Sequence, residues 1–157
     1  MANYISENDI EKACCEIIMG ELGYDEHLNL WQLPDDGNAI FGRTNASEVI
    51  RLNSLRDALI KLNPGASAEI INAAVVELTQ NRSFLTPFES NRAVSHLLRD
   101  GFDVPMQNKK GETVNFRVRY IDFERVENNH FCIVQQLTIR GKATRRPDLF
   151  IYVNGLP

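Results

Sequence analysis

The sequence is poor in the residues that build disulfide-bonded or zinc-bound folds. It contains three cysteines, Cys14, Cys15 and Cys132. Cys14 and Cys15 are adjacent in a helical stretch and point to different faces, so they cannot bind one ion together. No spaced cysteine pair exists for a zinc site or a disulfide framework, and the three histidines lack the spacing of metal ligands. We therefore expect buried, reduced cysteines and a cytoplasmic protein.

Long apolar runs and an excess of positive charge are also missing. No segment approaches the roughly 20 apolar residues of a membrane span, and residues 1–6 lack the basic and apolar regions of a secretory signal. No membrane partner is therefore expected. The net charge of −4 argues against a domain that binds DNA tightly by itself. It is compatible with a module that larger, more basic domains hold against DNA.

The motifs of several hydrolase classes are absent. There is no Gly-x-Ser-x-Gly, and Ser95 and His96 are neighbours on a helix, where their side chains point apart. Gly141-Lys-Ala-Thr144 is not a phosphate-binding loop, because the upstream glycine and the Ser or Thr directly after the lysine are missing. We expect no ATP binding by this chain.

The first half of the chain has helical periodicity. Ser6-x-x-Asp9 predicts a capping box, and apolar residues then recur at helical spacing as far as a C-cap at Gly23. Further helices are predicted over residues 47–62, 67–80 and 86–99, with Ser47 as the N-cap of the first of them. Residues 24–45 contain Pro34 and Gly42 and are predicted to form a long loop.

The second half has the patterns of strands and turns. A hairpin loop is predicted at residues 108–111, strands at 114–123 and 130–139, and a basic loop at 141–146. A last strand follows Asp148, and Asn154-Gly155 predicts a two-residue type I′ turn. Together these patterns predict one α+β domain over residues 1–157, in which a helical N-terminal half packs on a mixed or antiparallel sheet.

The final turn predicts where a partner for Asp148 would lie. In a two-residue hairpin centred on Asn154-Gly155, Asp148 pairs with a position about four or five residues beyond Pro157. A carboxylate there would lie about 5–6 Å from Asp148 between Cα atoms, and two such acids suit a divalent cation. The alternative is that Asp148 is a strand-entry residue that bonds to local backbone. The turn also predicts that the domain continues beyond this chain.

Segments along the whole chain resemble one known family. Arg146-Pro-Asp148, the apolar strand and Asn154-Gly-Leu-Pro157 resemble the nuclease domain of type I restriction enzyme R subunits, of the PD-(D/E)xK superfamily. Further landmarks, in matching order, are Glu7-Asn-Asp-Ile-Glu11, Glu21-Leu-Gly-Tyr24, Leu55-Arg-Asp-Ala-Leu59, Leu62-Asn-Pro64, Asn91-Arg-Ala93, Gly101-Phe-Asp-Val104, Ile121-Asp-Phe123, Asn128-Asn129 and Val134-Gln-Gln136. Family members commonly have Asn-Gln at the position of Gln135-Gln136.

The resemblance implies a Mg²⁺-dependent endonuclease site that this chain carries only in part. Asp148 would be the catalytic metal ligand, joined by Glu11, or alternatively by Glu7, and by a Glu-x-Lys strand that follows in the family. The intact enzyme would cut unmodified double-stranded DNA after ATP-driven translocation by motor domains absent from this chain. Its partners would be the modification (methyltransferase) and specificity subunits, in a bacterial or archaeal cytoplasm. We expect the chain alone to be inactive.

Other residues near Asp148 are candidates for supporting roles. Four cations precede the last strand and could contact the DNA backbone; they are Arg140, Lys142, Arg145 and Arg146. A solvated basic loop is the alternative reading of the same residues. Gln136 is expected to give structural hydrogen bonds, and Asp122 to belong to a turn or a local network. Two other functions stay open: a non-catalytic docking module that joins the R subunit to the modification and specificity core, and a stand-alone protein without the nuclease strand.

Overall fold

Helices and short strands alternate along the chain, which makes the fold α+β. The computed structural model describes residues 6–31, 41–43, 45–108 and 110–157. The described residues form four α-helices: α1 (Glu7–Gly20), α2 (Leu52–Leu62), α3 (Ala68–Thr79) and α4 (Pro87–Asp100). Their strands are β1 (Glu26–Asn29), β2 (Phe102–Gln107), β3 (Thr113–Val118), β4 (Phe131–Gln135), β5 (Ile139–Arg140), β6 (Thr144–Arg145) and β7 (Leu149–Val153). None of the helices in these ranges is long and apolar enough to cross a bilayer.

The chain divides into two compact units. The first unit consists of Met1–Asn53 and His130–Pro157, and the second unit of Ser54–Asn129. In the first unit, β1, β4 and β7 form one sheet with β4 in the centre. Strand β1 is parallel to β4 and β7 is antiparallel to it, so the sheet is mixed. Apolar side chains form its core, namely Leu30, Phe41, Cys132, Val134, Leu137 and Tyr152.

Helix α1 begins with the predicted capping box. The Ser6 side chain accepts from the Asp9 backbone N–H, and the Asp9 carboxylate accepts from the Ser6 backbone N–H. The Ser6 hydroxyl is also the main reason that the pKa of Asp9 lies below its usual value. The buried residues of α1 are Glu11 and Cys15, whereas Ile10 and Ile17 are 56% and 49% exposed. A helix that buries a carboxylate and exposes isoleucine is unusual for a purely structural element.

The second unit contains α3, α4 and the β2–β3 hairpin. Ser67 caps α3, and a capping box of Thr86 and Glu89 begins α4, so both helices begin where the sequence predicts. Helix α4 ends at Gly101, which has φ 81°, and a Cβ there would lie 2.6 Å from the carbonyl oxygen of Val118. A glycine is therefore required at this junction between α4 and the hairpin.

Side chains inside the second unit bond mainly to backbone. The Asn63 amide donates to the carbonyls of Leu59 and Arg119, at 2.8 and 2.9 Å, and its oxygen accepts from the Arg119 N–H. The Tyr120 hydroxyl donates to the Ala74 carbonyl at 2.8 Å. Asp122 and Asn129 fold the 122–129 segment onto itself. This confirms that Asp122 belongs to a local network.

Several predicted boundaries are wrong. The predicted loop over residues 24–45 contains β1, while its residues 32–40 and 44 lie outside the described part of the chain. The helix predicted over residues 47–62 begins at Leu52 rather than at Ser47. The C-cap of α1 is Glu21 rather than Gly23. The strand predicted to reach residue 123 ends at Val118, the strand predicted over 130–139 ends at Gln135, and the basic loop contains β6. Cys15 and Cys132 are buried as expected, but Cys14 is only half-buried.

The turn at Asn154-Gly155 is confirmed. Asn154 has φ 54° and Gly155 has φ 78°, the positive values that a type I′ turn requires. Val153 and Leu156 exchange backbone hydrogen bonds of 2.9 Å in each direction across the turn. The Asn154 side chain accepts from the His130 N–H at 2.8 Å, which anchors the turn to the start of β4.

Candidate active site

The candidate site lies where β4 ends beside the start of β7. Gln135 pairs with Leu149, and the backbone N–H of Gln136 donates to the Asp148 carbonyl at 3.0 Å. Gln136 has φ 60°, in the left-handed region that costs a residue with a Cβ about 1–2 kcal/mol. This conformation ends β4 earlier than its apolar pattern predicts. Left-handed residues of this kind concentrate at functional sites.

The side chain of Gln136 connects two carboxylates that are distant in the sequence. Its Nε2 donates to Glu11 Oε1 at 3.2 Å, to Glu11 Oε2 at 3.1 Å and to Asp148 Oδ1 at 3.2 Å. Glu11 and Gln136 are buried, whereas Asp148 is exposed. We call these three residues the carboxylate–amide cluster. Glu7, one helical turn before Glu11, is exposed and does not bond to Gln136.

The cluster has the donor chemistry of a site for a hard divalent cation. Carboxylate and amide oxygens are the ligands that Mg²⁺, Mn²⁺ and Ca²⁺ prefer. Both acids already lie around one amide NH₂ group, whose hydrogens carry partial positive charge. Within the described ranges, no group of three His, Cys, Asp or Glu side chains is placed to hold a metal ion. The two carboxylates and one amide of the cluster therefore supply only a part of the ligand set that such a cation needs.

A cavity of about 560 Å³ opens beside the cluster. Glu11 and Gln136 line it, together with His27, Gln135 and Trp31. His27 Nε2 and Gln135 Oε1 lie 2.9 Å apart. His27 and Trp31 are not predicted as site residues, because both belong to the segment predicted as a long loop. The one available signal was the Glu26–Asn29 segment, which is too short to be distinguished from a loop by its pattern.

The four candidate cations lie on or beside the β5–β6 hairpin, and all four are exposed. Ile139 pairs with Arg145 and Arg140 with Thr144, so Arg140 and Arg145 lie on opposite faces of the hairpin. Lys142 is in the turn between the two strands. Arg146 donates to the Trp31 carbonyl at 3.3 Å, and its guanidinium lies 5.6 Å from the centre of the Trp31 ring. The cations therefore do not form one flat patch.

A buried arginine supports the sheet of the first unit. Arg51 Nη1 donates to Glu26 Oε2 at 2.6 Å, and the Arg51 guanidinium lies 5.2 Å from the centre of the Phe41 ring. The Arg51 backbone N–H donates to the Gly155 carbonyl at 2.9 Å. Hydrogen bonding to Arg51 is the main reason that the pKa of Glu26 is lowered. Burial raises the pKa of the neighbouring Cys132 thiol to about 12, which leaves it uncharged.

A family model described as "Type I restriction enzyme R protein N terminus" matches residues 4–157. The chain belongs to this family. It is also 33% identical over 155 residues to the "Type I restriction enzyme HindI endonuclease subunit" of Haemophilus influenzae. That alignment covers 98% of this chain and 14% of the relative. The chain thus corresponds to about one seventh of an R-family protein, and the resemblance of its sequence to R subunits is confirmed.

Proposed function

We propose that this chain is part of the nuclease domain of a type I restriction enzyme R subunit. In the intact subunit, Asp148 and Glu11 would bind Mg²⁺ for cleavage of unmodified double-stranded DNA, after ATP-driven translocation by other domains. The observation that carries the proposal is the Gln136 amide, which bonds to both acids at once. Membership of the R-protein family supports it, as does a relative named an endonuclease subunit.

Asp148 and Glu11 would share the cation from different environments. Asp148 is exposed, so it can reach a phosphate-bound ion, whereas Glu11 is buried and fixed by α1. When bound, Mg²⁺ activates water and stabilises the leaving oxygen in phosphodiester cleavage. Gln136 keeps the acids oriented. Of the four candidate cations, Arg140 and Arg145 lie on opposite faces of the hairpin. One of these two, together with Lys142 and with Arg146 beside Trp31, would therefore contact the DNA backbone.

Two acids hold Mg²⁺ weakly, so a third ligand is proposed from the longer subunit. The Val153–Leu156 pair closes the turn after β7, and a strand that returned from this turn would keep the register of β7. A residue about four or five positions beyond Pro157 would then face Asp148. We place the glutamate of the family's Glu-x-Lys motif there, with the lysine positioning water or offsetting developing charge. The chain alone is accordingly expected to be inactive.

Substitutions in the intact R subunit, assembled with its modification and specificity subunits, test this proposal. Asp148→Asn and Glu11→Gln should each reduce cleavage of unmodified plasmid by orders of magnitude while ATP hydrolysis continues. Glu21→Gln removes the same charge from the exposed C-cap of the same helix, outside the cavity lining, so cleavage should persist. The Glu7→Gln variant distinguishes Glu11 from the alternative ligand. Full cleavage by both Asp148→Asn and Glu11→Gln would refute the proposed site.

Exposed aromatic residues favour a second candidate function, in which the chain is a docking module for the modification and specificity subunits. Phe84 is 79% exposed and Phe88 74% exposed, around the start of α4 in the second unit. Exposed aromatics are typical of binding hot spots. If docking is the function, Phe84→Ser and Phe88→Ser should abolish capture of the modification subunits by the full chain. An exposed valine, changed as Val126→Ser, is the matched control. If these changes do not affect capture, the docking hypothesis is rejected and the nuclease hypothesis remains.

A further inference from the structure

Gln136 occupies a position that a shared cation would need. Its Nε2 lies 3.1–3.2 Å from three carboxylate oxygens of Glu11 and Asp148. The amide nitrogen carries two hydrogens, one available for each acid. A divalent cation bound to the same acids would approach those oxygens to about 2.0–2.6 Å. The N–H groups and the cation would then repel each other, so they cannot both face the acids.

A turn of the amide resolves this conflict without moving the backbone. The last torsion of a glutamine side chain is soft and roughly two-fold. Rotating it by half a turn exchanges Nε2 for Oε1, and the two orientations have nearly the same shape. The oxygen would then face the cation as a further neutral ligand of the kind that Ca²⁺ and Mg²⁺ accept.

The backbone keeps Gln136 from withdrawing instead. Its left-handed conformation and its N–H bond to the Asp148 carbonyl place the side chain between the acids. The preceding residue, Gln135, is equally buried and lines the same cavity, but it bonds to His27. Gln136 thus bonds to the two acids, and the adjacent Gln135, which bonds to His27, serves as the control residue.

We propose that Gln136 binds the cluster in two states. In the metal-free protein its Nε2 holds Glu11 and Asp148 together, and in the cation-bound protein its Oε1 becomes a ligand of the ion, directly or through water. This inference rests on the proposed metal site and adds a ligand to it. It also predicts the direction in which the affinity for the cation changes: removing the amide weakens cation binding. If Gln136 only competed with the cation, removing it would strengthen binding.

Titration of the full 157-residue chain with CaCl₂ tests the direction of this change in affinity. Binding of Ca²⁺ can be measured without nuclease activity. Gln136→Met keeps the length of the side chain and removes its polar atoms, and it should raise the dissociation constant about tenfold. Gln136→Glu restores an oxygen and should bind Ca²⁺ at least as tightly as the unchanged chain. Gln135→Met should bind like the unchanged chain. Circular dichroism checks that each variant is folded.

Nuclear magnetic resonance of the ¹⁵N-labelled chain reports on the turn itself. On addition of Ca²⁺, the side-chain NH₂ signals of Gln136 should move toward the positions of solvent-exposed amides, while those of Gln135 stay in place. Equal or tighter binding by Gln136→Met, or stationary Gln136 signals during saturation, would overturn the amide turn and leave the metal site intact. Ca²⁺ binding that is unchanged in Asp148→Asn would overturn both proposals, because the ion would then not be held at the carboxylate–amide cluster.

Discussion

The two units of the molecule treat a buried carboxylate in opposite ways. Asp122, in the second unit, accepts from the backbone N–H groups of Glu124 and Arg125 and from the Asn128 amide. These bonds, that of Asn128 foremost, lower its pKa. Glu11, in the first unit, is also buried. The hydrogen bonds that the described residues give its carboxylate come from a single amide nitrogen, which Asp148 shares.

The contrast separates an acid that the local backbone holds in place from an acid that would bind the cation in the proposed site. Backbone donors fix Asp122 in one local arrangement, because the chain cannot move them without unfolding the segment. A side-chain amide can rotate, so the acids that it holds stay available to another partner. Burial alone does not distinguish the two cases, and neither does an amide donor, because the Asn128 amide also bonds to Asp122. The two backbone N–H groups that bond to Asp122 do distinguish them.

The largest expected effect on stability concerns one ion pair in each unit. The Arg51–Glu26 pair has side chains 9% and 32% exposed, whereas those of Arg117 and Asp103 in the second unit are 66% and 38% exposed. Arg51→Met should lower the free energy of unfolding by about 3 kcal/mol, at the low end for a buried pair because Glu26 stays partly hydrated. Arg117→Met should cost nothing measurable in urea denaturation, despite two bonds of 2.7 Å. Equal losses would remove the distinction between the units.

Asn63 tests whether the polar side chains of the second unit support its fold. Asn63→Ala leaves the Arg119 N–H and two carbonyls without their partner. Unsatisfied buried groups cost about 1–3 kcal/mol, so we expect a loss of about 2 kcal/mol. Urea denaturation followed by circular dichroism measures it, with the exposed Asn115→Ala as a control. An Asn63→Ala variant with an unchanged free energy of unfolding would show that these bonds do not stabilise the second unit.

Acid pH should weaken the first unit through Glu26. Arg51 holds the pKa of Glu26 below its ordinary value of 4.5. The stabilisation is therefore complete above that ordinary value and is lost as the pH falls through the lowered pKa of the folded state. Urea midpoints measured between about pH 6 and pH 3 should fall less steeply in Arg51→Met than in the unchanged chain. Urea midpoints that fall equally with pH in both proteins would contradict the assignment of this stabilisation to the Arg51–Glu26 pair.

The smallest expected effect is the change in stability of the metal-free chain when Glu11 loses its charge, compared with the same change at Asp122. Glu11→Gln keeps an acceptor for Gln136, so the metal-free free energy of unfolding should change by less than about 0.5 kcal/mol. Asp122→Asn turns an NH₂ group toward existing donors and should lower the unfolding midpoint clearly. Thermal denaturation of both variants without divalent ions compares them. A large loss in Glu11→Gln would make Glu11 a structural residue.

Local signals carried the successful sequence predictions. The helices predicted to begin at Ser67 and Thr86 begin there, and Asn154-Gly155 forms its turn, because each depends on hydrogen bonds or φ angles within a few residues. Strand β1 could not be predicted in this way. Its four residues pair with β4, more than a hundred positions later in the chain, and no local pattern encodes that pairing.

The candidate site was predictable in part. The resemblance to R subunits named Asp148 and Glu11, and the structure brings both to one amide. The left-handed conformation of Gln136 had no sequence signal, because glutamine is not a residue that favours positive φ. Nor did the sequence indicate that Gln135 and Gln136 would point to different partners. Their difference arises from the end of β4 beside β7.

Trp31 gives the molecule an optical property of its own. It is the single tryptophan of the chain, it lines the cavity that contains Glu11 and Gln136, and Arg146 stacks on its ring. Intrinsic fluorescence excited in the indole band therefore originates from one place, beside the candidate site. Changes in its emission wavelength or quenching would record events at that cavity in unlabelled protein, without interference from another indole.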